Sequence, residues 1–166
     1  MFVFQAVTDA QKSVIQKELV TVGLQCIKDH PLSLTDIRAF KNKMIPNGND
    51  PKCFVACLFK KIGVMDNMGM ISPAKAKENV KKVFKGSDEH LKNIDEIMEK
   101  CSAVNRQNTK DGAKGCDRAK LAFGCFTENA PKVSSLKCQW TLLEYVHSIR
   151  ISSKTAFQST ALFYSK

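Results

Sequence analysis

Asp50-Pro51-Lys52-Cys53-Phe54-Val55-Ala56-Cys57-Leu58-Phe59-Lys60-Lys61-Ile62-Gly63 is the stretch that decides the fold. Asp50-Pro51 reads as an N-cap followed by proline at the first helical position, where the missing N–H is not needed. The helix it opens carries two cysteines four residues apart, about 40° on the helical wheel, so both look from one face. On the other side, Val55, Phe59 and Ile62 form an apolar stripe at i, i+4 and i+7. Cysteines so placed cannot readily bridge each other within a regular helix. Each must reach a different segment, so this helix is tied to two neighbours.

Working outward, Cys26, Cys101, Cys116 and Cys125 complete a set of six with the pattern C-x26-C-x3-C-x43-C-x14-C-x8-C. An even set at such spacings in a small basic chain is a disulfide framework. Cys116 and Cys125 are nine residues apart, about 180° around, so they leave opposite sides of one helix and place it at the centre of a bundle. Six cysteines still allow about 15 pairings. Zinc is not expected, because x3 is not a usual knuckle spacing and His30, His90 and His147 are scattered. Cys138 is left over as a free thiol or an intermolecular link.

The rest of the chain reads as helices. Thr8 or Asp9 starts the first, which runs to about Asp29 with Ile15, Leu19, Val22 and Cys26 along one stripe. Ser33 and Thr35 are candidate caps of a second helix, which carries Ile37, Phe40 and Met44 inward and stops at Pro46-Asn47-Gly48. Ser72-Pro73 opens the fourth, with Ala76, Val80, Val83 and Phe84 on one face. The fifth starts at Ser87 and shows Leu91, Ile94, Met98 and Cys101; the sixth covers roughly Ala113 to Phe126. After Pro131 the composition changes: residues 132–166 hold ten Ser/Thr and no Gly, Asp or Asn. The expected organisation is a leftover leader or disordered N-terminus at 1–7, a helical domain at 8–131, and an atypical tail at 132–166, partly helical or disordered.

The chain has 166 residues, 43% hydrophobic and 25% charged, with a formal net charge of +10. Lys60-Lys61 and Lys81-Lys82 sit on amphipathic helices without aromatic interleaving, so they read as solvated faces and not as a nucleic-acid site. No apolar run approaches the roughly 18 to 20 residues that span a bilayer. Seven cysteines point to work outside the cell, although Met1 to Ala10 lacks the basic and apolar regions of a signal peptide. No nucleophile motif, phosphate-cradling glycine loop or paired acids suggest catalysis.

Together with the cysteine spacing, three segments resemble the pheromone and general odorant-binding group of insect odorant-binding proteins. They are Ser33-Leu34-Thr35-Asp36-Ile37, Cys53 through Gly63, and Gly115-Cys116-Asp117-Arg118-Ala119, and the resemblance covers roughly residues 7–130. It implies an all-α compact bundle of about six helices, stapled by three disulfides around an apolar cavity. The pairing it implies is Cys26–Cys57, Cys53–Cys116 and Cys101–Cys125. The implied function is an extracellular, secreted carrier of odorants, pheromones or related lipids, with no enzymatic activity, cofactor or metal. Implied partners are the small apolar ligand and an olfactory receptor, with no nucleic acid and no stable membrane insertion, the chain being a monomer or weak dimer.

Val55, Phe59 and Ile62 are the clearest wall of such a cavity, and the resemblance adds Leu19, Phe40, Phe84, Ile94, Met98, Ala122 and Phe126. Met65, Met68 and Met70 suit either a deformable entrance or an irregular core gap. His30 and His90, at helix ends, are candidates for a pH-sensitive contact or plain capping residues. Two alternatives stand beside the carrier: a basic secreted protein engaging a receptor or acidic glycan, and a saposin-like membrane-active helical protein.

Overall fold

A computed structural model describes residues 9–83 and 88–129. Phe84, Cys138 and both expected end segments, 1–7 and 132–166, lie outside the described residues, as does the side chain of His90. Six helices follow in order: α1 (Asp9–Asp29), α2 (Leu34–Lys41), α3 (Asn49–Lys61), α4 (Pro73–Val83), α5 (Asp88–Cys101) and α6 (Cys116–Asn129). Short 3₁₀ segments occupy Ser102–Arg106 and Gly112–Lys114. Among the described residues the fold is all-α, with one isolated antiparallel bridge between Met65 and Ile71.

The helix starts follow their local chemistry. Ser33 caps α2 reciprocally: its hydroxyl accepts from the Asp36 amide at 3.1 Å, while its own amide donates to the Asp36 carboxylate at 2.8 Å. Helix α2 ends earlier than the sequence suggests, at Lys41. Lys43 takes a left-handed conformation at φ 56°. Its amide donates to Phe40, and the Met44 amide reaches back to Ala39 at 3.0 Å. This is a Schellman stop with lysine where glycine is usual. Met44 is therefore turned out, 59% exposed, and Ile45 takes the core place expected for it.

Two further boundaries differ from expectation. Helix α3 begins at Asn49 with Gly48 as its N-cap, so Asp50 is not the cap and Pro51 sits buried within the first turn. That turn has no intrahelical use for a proline N–H, so the ring is tolerated there. Helix α6 starts at Cys116, three residues after Ala113, because Gly115 is left-handed at φ 72° and ends the preceding 3₁₀ turn. The Gly115 carbonyl accepts the first α6 bond, from Ala119 at 2.8 Å.

Helices α3 and α6 form the central pair. Pro51, Phe54, Val55, Ala56, Leu58 and Phe59 are all buried on α3, so it is covered on more than the one stripe that periodicity shows. Cys26–Cys57 joins α1 to α3, Cys53–Cys116 joins α3 to α6, and Cys101–Cys125 joins α5 to α6. Closing loops of 31, 63 and 24 residues, each bridge contributes about 3 to 4 kcal/mol by the chain-entropy relation.

The connection between α3 and α4 folds onto the Ser102–Arg106 segment and α6 through side chains that no periodicity reveals. The Asn105 amide brackets Ile71, accepting its N–H at 2.8 Å and donating to its carbonyl at 2.9 Å. Buried Arg118 donates to the carbonyls of Gly69 and Gln107, both at 3.1 Å. Gly69 and Gly115, both left-handed, meet backbone to backbone. A Cβ on Gly115 would lie 2.8 Å from Gly69 Cα and from Met65 Sδ. Met65, 1% exposed, fills this corner, whereas Met68 is 68% exposed. The methionine cluster is thus divided between core and surface.

Gly115→Ala should destabilise the protein by about 2 to 4 kcal/mol in urea unfolding, adding a left-handed side chain to a backbone clash. Gly124→Ala should act the other way. A Cβ there meets open space inside α6, and the gain should be about 0.5 to 1 kcal/mol.

Candidate functional site

The nine expected lining residues that are described come from five helices and converge on one apolar cluster. Phe40, Val55, Phe59, Met98 and Ala122 are buried in it, and Leu19, Ile62, Ile94 and Phe126 pack against it while keeping accessible surface. Leu19 comes from α1, Val55 and Phe59 from α3, Ile94 and Met98 from α5, and Ala122 and Phe126 from α6, with Ile62 just past the end of α3. These side chains offer apolar burial and dispersion contact, with no carboxylate, imidazole or hydroxyl.

Ring contacts divide the set. Phe59 meets Phe126 edge-on with centroids 5.7 Å apart. Phe40 instead packs with Phe54 at 6.1 Å and Phe123 at 6.3 Å. Phe54 and Phe59 lie about 140° apart on α3, so the two aromatic groups occupy different sides of that helix. Sequence reasoning passed over Phe54, Phe123 and Ile97. Ile97 is buried with Cys101 against Ile94, Cys125 and Phe126. Its spacing to Cys101 on α5 was an available signal; nothing local distinguishes Phe123 from its neighbour Phe126.

Polar contacts frame this interior from outside. Lys77 on α4 pairs with Asp95 on α5. Asn79 donates to the Ile62 carbonyl at 3.0 Å, tying α4 to the end of α3. His30 Nδ1 lies 3.9 Å from Asp50 Oδ1, joining the end of α1 to the start of α3. Lys52 Nζ lies 2.6 Å from Asp117 Oδ1, directly beside the Cys53–Cys116 bridge. The hydrogen bond from Lys52 holds the Asp117 carboxyl below its ordinary range against the opposing effect of burial, and the charges of Lys52 and Lys110 add to the lowering. Among the described residues no group of three or more His, Cys, Asp or Glu could hold a metal ion, and no helix is long and apolar enough to cross a membrane.

The sequence model of the PBP/GOBP family matches residues 8–129, which contain all six bridged cysteines and every described lining residue. Among solved structures, the fold is similar to that of an odorant-binding protein, dmelOBP28a, from Drosophila melanogaster. The TM-score is 0.56 at 24% sequence identity, covering 76% of this chain and 99% of that one. No curated protein matches the chain in sequence.

Replacing Cys101 and Cys125 together by serine should cost about 3 kcal/mol in urea unfolding under oxidising conditions, loosening α5 against α6. Asp117→Asn should cost about 0.5 to 1 kcal/mol at pH 7, a modest value because the pair is partly exposed. A carboxyl whose folded pKa is depressed stabilises above its unfolded value, about 4, and loses that contribution as pH falls through the folded value. The difference between wild type and Asp117→Asn should therefore vanish at the acid end of a pH series.

Proposed function

The chain belongs to the PBP/GOBP family, and from that premise we propose that it is an extracellular carrier of small apolar molecules. It binds odorants, pheromones or related lipids in an internal apolar pocket and takes them through aqueous fluid. The observation that carries this reading is the convergence of Leu19, Ile62, Ile94 and Phe126 on the buried core with surface still accessible. Such residues are placed to gain from a ligand: every CH₂ moved from water onto them contributes about 0.8 kcal/mol. The name of the structurally similar Drosophila protein, an odorant-binding protein, points the same way. Three disulfides suit an oxidising compartment and stiffen walls that enclose a guest in place of filling side chains.

Within the pocket, Leu19, Val55, Phe59, Ile62, Ile94, Met98 and Phe126 are the proposed contacts. Phe40 is assigned to the α2–α3–α6 packing on the strength of its rings. The proposed chemistry is burial and shape, with no bond made or broken in the cargo and no cofactor.

The test is displacement of an environment-sensitive fluorescent probe from the oxidised, full-length chain by medium-chain alcohols, esters and fatty acids. Structure-dependent displacement at micromolar concentrations is expected. Ile94→Ala and Phe126→Ala should each weaken binding about tenfold, corresponding to the loss of roughly 1.5 kcal/mol of apolar contact. Leu121→Ala, on the exposed side of α6, should leave it unchanged. Absence of displacement by the whole panel would overturn the carrier reading.

A further inference from the structure

Residues 52–82 contain seven lysines against two acidic residues. In sequence Lys60-Lys61 and the lysines of residues 75–82 lie on separate helices. The structure brings four of them, Lys60, Lys61, Lys75 and Lys82, to the junction of the two helices. Lys75 Cγ lies 3.4 Å from the position a Cβ on Gly63 would take, Asn79 holds the Ile62 carbonyl, and Lys82 Nζ donates to Asn79 Oδ1 at 3.3 Å. Lys75, Asn79 and Lys82, at i, i+4 and i+7, thus form an outer stripe of α4 laid across the end of α3, where Lys60 and Lys61 stand. Lys60 Nζ reaches the Ala113 carbonyl at 2.8 Å, which extends the face toward exposed Lys114.

The neighbouring acids leave most of this charge uncompensated. Glu78 lies 3.5 Å from Lys82, with both side chains more than two-thirds exposed. Asp95 is taken by Lys77, which turns toward α5. Among the described residues, Lys61, Lys75 and Lys114 have no carboxylate within ion-pair distance.

We infer that this face, built from the end of α3 and the outer stripe of α4, binds the chain of an acidic polysaccharide carrying sulfate or carboxylate groups. The stripe from Lys75 to Lys82 runs about 10 Å and continues onto α3, so it matches charges repeated along an extended polymer better than a single phosphate. Lysines present separate, mobile point charges and not the rigid forks that read a planar anion. The large exposed apolar side chains among the described residues, Val14, Leu24, Leu34, Met44, Met68 and Leu121, all lie off α4 and off Lys60–Gly63. Among the described residues the face therefore presents no large exposed wedge for a bilayer and no exposed ring on which bases stack.

The experiment is calorimetric titration of the oxidised, full-length chain with a heparin octasaccharide across a salt series. Binding should be measurable near about 150 mM salt and weaken steeply above it. The triple variant Lys61→Gln/Lys75→Gln/Lys82→Gln should bind at least about tenfold more weakly, and Lys75→Gln alone about two- to threefold. Lys17→Gln/Lys28→Gln/Lys41→Gln removes equal charge from exposed positions elsewhere and should stay within about twofold of wild type. Absence of binding, or equal weakening in both triple variants, would overturn the site. Tighter binding to vesicles about one-third phosphatidylserine, or to a short DNA duplex, would overturn the polysaccharide as its occupant. None of these readouts depends on carriage of an apolar ligand, so this inference and the carrier reading fail separately.

Discussion

Cys53 and Cys57 share one face of α3 and bond to different helices, Cys57 to Cys26 of α1 and Cys53 to Cys116 of α6. That double attachment fixes α3 between its two neighbours, and the rest of the structure is arranged around it. Phe54, Val55, Ala56, Leu58 and Phe59 are buried together because the helix is held from more than one side. Cys101–Cys125 then adds α5 to α6. A helix fastened covalently at these points does not need complete apolar filling to stay in place. For a protein proposed to enclose a guest, that is the useful consequence: covalent links carry stability that a hollow interior forgoes.

Around this frame the polar groups act as fasteners at the corners. Arg118 joins the α3–α4 connection to Gln107 through two carbonyls, and Asn105 brackets Ile71. Lys52–Asp117 duplicates the Cys53–Cys116 link one residue away on each helix. The Gly69–Gly115 contact lets two backbone segments approach where any side chain would separate them. Charge gathers on the outside, apolar carbon on the inside, and the two proposed roles draw on these separate resources.

Much of the helical plan was legible. The apolar stripe of α1, the cap of α2 at Ser33 and the proline at the start of α4 are local signals with local causes, and each helix lies where its signal falls. The boundaries that differ have non-local or unusual causes. Lys43 occupies a left-handed position usually given to glycine, so Met44 read as an inward residue and is turned out. Gly115 stops a helical pattern that continues through it because it must meet Gly69, almost fifty residues earlier. In the candidate site, residue type and spacing marked apolar positions well but not their grouping. Phe40 and Phe59 look alike in sequence, yet their ring partners lie on different sides of α3.

By itself the sequence determined that the segment holding the six framework cysteines is helical, that those cysteines frame it, and that Cys53 and Cys57 reach different segments. These follow from helical period, caps and the short reach of a side chain, which depend on near neighbours. Three-dimensional packing decided which of the fifteen or so pairings forms, because sulfurs bond only where helices remote in sequence bring them together. It also decided that Lys75 and Asn79 of α4 lie against the end of α3, and that Leu19, Ile62, Ile94 and Phe126 retain accessible surface. Exposure and charge density belong to surfaces, and a surface exists only once distant segments have packed.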